Sequence, residues 1–126
     1  YLEDITGLGN LIINKQLKDE GSTDLRGDIS VSGNIVATNL GAISTDSITI
    51  TAANISITDS HINAVNNDIS IVANDTESNS ISIDSITANH INLNAEEFNL
   101  YGDLNASGGL TFLNSSTTKE VDIALM

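Results

Sequence analysis

The triplets Ile48-Thr49-Ile50, Ile55-Ser56-Ile57, Ile62-Asn63-Ala64 and Ile69-Ser70-Ile71 begin seven residues apart, four times running. Within each triplet two apolar side chains flank a small polar one. That is the period of a strand with one buried face. A seven-residue period also suits a coiled coil, which needs apolar residues three and four apart among good helix formers. The Thr, Ser and Asn found here are weak in helices, whereas Ile and Thr suit strands. The repeat therefore excludes a helix over residues 28–113 and demands short strands at a fixed spacing.

Hairpins do not meet that demand, because the block lacks the Asn-Gly or Asp-Gly turns that regular hairpins use. Short strands, short corners and a fixed period point to an all-β fold, a β-helix or β-solenoid with rungs of about seven residues, in which each turn stacks on the last. The inward ladder comprises Ile48, Ile50, Ile55, Ile57, Ile62, Ile69 and Ile71. It continues less regularly through Ile81, Ile83, Ile91 and Leu93. The pairs Ile29/Val31 and Ile35/Ala37 precede it, and Phe98/Leu100, Leu104/Ala106 and Leu110/Phe112 follow. Residues 73–80, with no aliphatic side chain larger than Ala, form the expected loop. Ser, Thr, Asn and Asp belong outside and at corners, where their side chains bond local backbone. This division explains 18 Ile beside 16 Asn and 15 Ser.

Two windings fit. One chain can make all three sides of a coil of about 21 residues, or three chains can wind about one axis with one side each. About 85 residues carry the pattern, and neither end contains a clear capping helix, so the intertwined homotrimer is the favoured expectation. The expected organisation is an attachment or cap segment over 1–27, with a short helix or turn within residues 1–20. A β-helical shaft over 28–113 and a strand or connector over 114–126 complete it. The first residue is Tyr1 and not Met, as in a processed product or a fragment.

Composition removes whole classes of function. With no Cys, thiol catalysis, disulfide scaffolds and Cys-ligated metals are excluded. Four Lys and Arg against 17 Asp and Glu leave too few cations to displace counterions from phosphates, so no nucleic-acid partner is expected. No apolar run approaches the roughly 18–20 residues of a membrane helix, and Leu11-Ile12-Ile13 is too short for a signal-peptide core.

Candidate sites are few. His61 and His90 share the context His-Ile-Asn, and each precedes an inward Ile, so both should point outward. Asp46, Asp59, Asp68, Asp75, Asp84 and Asp103 are scattered, without the spacing of a calcium loop. They read as a solvated, mutually repelling surface. Glu96-Glu97 lacks the aromatic platforms of a glycosidase cleft. Arg26-Gly27-Asp28 spells a short attachment tripeptide. Thr49, Thr51 and Thr58 face outward, but their array is interrupted. Asn54, Asn74, Asn105 and Asn114 match Asn-x-Ser/Thr in a chain rich in those residues. No catalytic, metal or cofactor residue is expected, and the chain reads as non-enzymatic.

The stretch Arg26-Gly27-Asp28-Ile29-Ser30-Val31-Ser32-Gly33-Asn34-Ile35 resembles tail-fibre and spike shaft proteins of tailed bacteriophages. Tyr101-Gly102-Asp103-Leu104-Asn105-Ala106-Ser107-Gly108-Gly109-Leu110 is a second stretch of that style. The resemblance implies a homotrimeric structural virion component, a fibre or spike shaft that supports host attachment. Implied partners are other virion or tail proteins at the termini and a host surface glycan or receptor. The chain departs from the Val-Gly repeat of needle-like spikes. Asn54-Ile55-Ser56-Ile57 and Asn89-His90-Ile91-Asn92-Leu93-Asn94-Ala95 resemble filamentous-haemagglutinin-like adhesins. That second resemblance implies a single-chain β-helix on a bacterial cell surface.

Overall fold

A computed structural model of the chain describes residues 2–14, 25–43, 46–114 and 122–125. Among these there are twelve strands and no helix. They are β1 (Leu2–Gly7), β2 (Leu11–Asn14), β3 (Leu25–Val31), β4 (Ile35–Thr38), β5 (Gly41–Ile43) and β6 (Ile48–Ala52). The remainder are β7 (Ile55–Asn63), β8 (Ile69–Ala73), β9 (Ser80–Asn94), β10 (Glu97–Leu100), β11 (Leu104–Leu113) and β12 (Asp122–Leu125).

Every pairing is parallel, and the pairs sort into three stacks. The first runs β1, β3, β6, β8, the end of β9 and the end of β11. The second runs β2, β4, the start of β7, the start of β9, β10 and β12. The third runs β5, the end of β7, the middle of β9 and the start of β11. The chain visits first, second and third stack in turn, so it winds as a triangular β-solenoid. Strand β9 turns two corners without losing its extended backbone and contributes to all three sides.

The column Ile5, Ile29, Ile50, Ile71, Leu93, Phe112 spans five turns. Its longest step is Ile5 to Ile29 and its shortest is Leu93 to Phe112. The four Ile triplets of the sequence are thus successive sides of one winding, not rungs lying directly on one another. Ile48 and Ile69 pair across consecutive coils of the first stack, while Ile55 and Ile62 lie on the second and third. The strand pairs of the described residues all form within one chain. That is the single-chain winding, with three sides to each coil.

Alternation puts one set of side chains in a dry interior. Ile48, Ile50, Ile55, Ile57, Ile62, Ile69, Ile71, Ile81, Ile83, Ile91 and Leu93 are all buried. Ala52, Ala73 and Ala95 are also fully buried, at the corner between first and second stacks. Two sides converge there, and each coil places a methyl group at the point where they meet. Phe98 from the second stack meets Phe112 from the first edge-to-face, with ring centroids 5.0 Å apart.

One sequence boundary changes, and one local expectation is narrowed. The solenoid does not start at residue 28: β1 and β2 already pair with β3 and β4 as a first coil. Within residues 1–20, the described part is strand and turn, not helix, because Gly7 and Gly9 interrupt it and Leu11, Ile12 and Ile13 alternate between half-buried and exposed positions; residues 15–24 lie outside the described residues. Residues 74–79 form the expected loop between β8 and β9.

Candidate functional site

The chemistry-bearing residues gather at the three corners, where the strands leave polar groups facing the next coil. At the corner between first and second stacks, Asn10 Oδ1 accepts from the Asn34 backbone N–H at 2.8 Å. The Asn54 amide donates to Asn34 Oδ1 at 3.3 Å, and Asn54 Oδ1 accepts from Ser80 N–H at 2.9 Å. Asn79, itself buried, accepts from Glu96 N–H at 2.7 Å. This is a ladder of asparagines in which side chains serve backbone donors that the turning strands have left unpaired.

The corner between second and third stacks uses hydroxyl and carboxylate groups. Leu40 N–H donates to the buried Ser60 Oγ at 2.8 Å, and Ser60 N–H donates to Asp84 Oδ2 at 3.1 Å. At the corner between third and first stacks, Asp68 Oδ1 accepts from His90 N–H at 3.1 Å and from the Asn89 amide at 3.4 Å. His90 Nδ1 lies 3.1 Å from the same oxygen, and both side chains are about half exposed. The His90 hydrogen bond holds the Asp68 carboxyl below the usual Asp value.

These ladders give a physical meaning to the Gly-Asx-aliphatic units of the sequence. A Cβ on Gly33 would run into Asn10, and one on Gly102 would run into Asp84 and Ser85. Glycine therefore lets the preceding coil's polar side chain pass close under the corner. The following Asx supplies the N–H that this side chain or its neighbour receives, as in Asp28 to Asp4 at 3.0 Å and Asp103 to Ser85 at 3.3 Å. The third residue, Ile29, Ile35 or Leu104, starts the next inward run. Gly27 and Gly102 open different sides, so the two look-alike stretches share a corner device and not a position in the stack.

The remaining candidates are dispersed. His61 is exposed on the third side, with Nε2 3.3 Å from Thr87 Oγ1, whereas His90 belongs to a corner. Thr49 and Thr51 lie on the first side and Thr58 on the second, with Asp28, Ser70, Ser30 and Val72 as stack neighbours of the first two. That register corrects the expectation that the three threonines form one interrupted array. Glu97 Oε1 accepts from the Asn99 amide at 3.3 Å. No three His, Cys, Asp or Glu side chains gather in metal-binding proximity among the described residues. A shallow depression lies between Val65-Asn66 and Asn105–Ser107, floored by Thr87 and Ala88.

Sequence reasoning missed Leu40, Ser60 and Ile86, all buried. Ile86 follows Ile83 by three positions, because the corner inside β9 takes one extra residue. No family model matches the chain, and no curated protein or solved structure is significantly similar to it.

Proposed function

We propose that the chain is a structural, non-enzymatic segment of an extracellular rod that spaces or presents other parts of its particle or cell surface. The observation that carries this reading is the closure of three parallel stacks around a sealed aliphatic interior, with corner side chains spent on holding coil to coil. The corner Asn, Ser and Asp side chains serve backbone donors, and the outward faces are plain columns such as Asp28, Thr49, Ser70 and Asn92. A net charge of -13 keeps such a surface solvated and discourages sideways association.

Closure within one chain favours a rod one chain thick, as in a bacterial surface adhesin. The second reading, a trimeric phage fibre or spike shaft, draws its support from the Gly-Asx-Ile stretches at Arg26–Ile35 and Tyr101–Leu110. Gold-labelled antibody against the chain, imaged by electron microscopy on its source culture, separates them. Gold on the cell envelope supports the adhesin, and gold on tailed particles supports the virion shaft. Label confined to the cell interior would sink both.

A further inference from the structure

We propose that the corner between the third and first stacks is a proton-operated latch: the imidazole of His90 ties consecutive passes of the chain together when it is charged and lets go when it is neutral. The feature that carries this is a conflict at one atom. His90 Nδ1 lies 3.1 Å from Asp68 Oδ1 and also 3.1 Å from the Asn89 side-chain nitrogen. An ionised carboxylate can only accept, and an amide nitrogen can only donate. Nδ1 needs its proton for Asp68 and a bare lone pair for Asn89, so it cannot bond both at once. The Asn89 amide is oriented from outside the ring. Its nitrogen donates to Asp68 Oδ1 at 3.4 Å, and its oxygen accepts from Ser107 Oγ at 3.4 Å. A flipped amide would set oxygen against carboxylate.

The two bonds join different parts. Asp68 precedes Asn89 and His90 by one pass around the solenoid, as the Asn89 N–H bond to Asn67 O shows, so a bond to Asp68 crosses between passes. A bond to Asn89 stays within one pass. On its far side the ring meets the next pass, where a Cβ on Gly108 would come 2.9 Å from His90 Nε2. Strand β11 shifts register against β9 between Ala106 and Gly109, beside this ring. His90 therefore stands between three passes, and glycine leaves it room to turn.

Few charged groups surround it among the described residues. Asp68 stands in the preceding pass. Asp46 lies a further pass back, beside Ser47, whose Oγ accepts from Asp68 N–H at 3.5 Å. The following pass, Ser107 to Gly109, brings no charge. In acid both ring nitrogens carry protons, so Nδ1–H donates to Asp68 as a charge-assisted bond. As pH rises through the range of about 5 to 8 in which imidazoles lose their charge, one proton leaves. Nδ1 then accepts from the Asn89 amide, Nε2 keeps the remaining proton, and the tie to Asp68 is lost. At the acid end the limit is Asp68, whose carboxyl the His90 hydrogen bond holds below the usual Asp value. The latch is closed between that lowered value and the imidazole range.

The experiment uses the 126-residue chain and a double-mutant cycle of Asp68→Ala and His90→Ala, read as shifts in urea midpoint. The four proteins should show a coupling at about pH 5.5 that disappears at about pH 9. Nitrogen-15 spectra of the His90 ring give the local readout. Nδ1 should be protonated in acid and bare in alkali, with the remaining proton on Nε2. Asn89→Ala removes the rival donor and should keep the proton on Nδ1 of the neutral ring, so that the coupling outlasts the titration. His61→Ala should leave the coupling unchanged. A coupling of equal size at both pH values, none at either, or a neutral parent ring that keeps its proton on Nδ1 would each overturn the proposal. If Asp68→Ala fails to fold by circular dichroism, the nitrogen spectra of the parent decide alone.

Discussion

Replacing Ile71 with Ala tests the sealed interior most directly. Ile71 is 0% exposed and lies in its column between Ile50 and Leu93. The change removes three carbons, worth about 2.4 kcal/mol at about 0.8 kcal/mol each. A cavity term adds to this. Strands above and below are held about 4.8 Å apart by their own hydrogen bonds, so the column cannot close over the gap. The expected loss is about 3–4 kcal/mol, within the range for buried Ile→Ala changes. For a chain of this size that lowers Tm by roughly 10–20 °C. Leu110→Ala at the end coil is the internal control. At 41% exposure its loss should be less than half as large, about 1–1.5 kcal/mol. Urea unfolding followed by circular dichroism, at concentrations where the chain is monomeric, gives both values. Equal losses at the two positions, or a loss below about 1 kcal/mol for Ile71→Ala, would refute the column argument.

Two further outcomes follow from the corners. Gly102→Ala drives a methyl group into Asp84 and Ser85 and should destabilise by about 1–3 kcal/mol. Gly7→Ala meets nothing within 4 Å and should be close to neutral, so the difference in urea midpoints isolates the close approach. The Asp68 pKa is lowered in the folded chain, chiefly by its hydrogen bond to His90. Its contribution to stability is therefore present above the unfolded Asp value and is lost as pH falls through the lower folded value. Carbon-detected titration of the Asp68 carboxyl should show the depressed value, and His90→Ala should move it back towards the ordinary one.

The part of the fold legible in the sequence was the part fixed by alternation. Ile-x-Ile spacing identified the inward positions, since one buried face forces period two. The winding was less legible, because three sides of one coil and three strands of three chains give the same seven-residue spacing. The distinction rests on which rungs pair, and Ile48 pairs with Ile69, a full coil further along the chain. The coils also differ in length, since corners absorb insertions without disturbing the columns. The step from Ile5 to Ile29 is longer than the one from Leu93 to Phe112, yet both keep an inward residue over an inward residue. That variation hid Ile86 and made the first coil look like a separate segment. The ladders at Asn10–Asn34–Asn54 were invisible for another reason. In a chain with 16 Asn, nothing local distinguishes an asparagine that serves the next coil from one that faces water.

The hydrogen bonds run along the axis of the solenoid while the strands run across it. A tensile load on the two ends therefore does not strain all stacks together. It peels the terminal coil, whose bonds face the pull one after another. Each released coil of about 21 residues can extend to about 70 Å at about 3.4 Å per residue, in place of the about 4.8 Å it occupied when wound. Under force the chain would lengthen in steps of about 65 Å, coil by coil, as a spool that yields and rewinds.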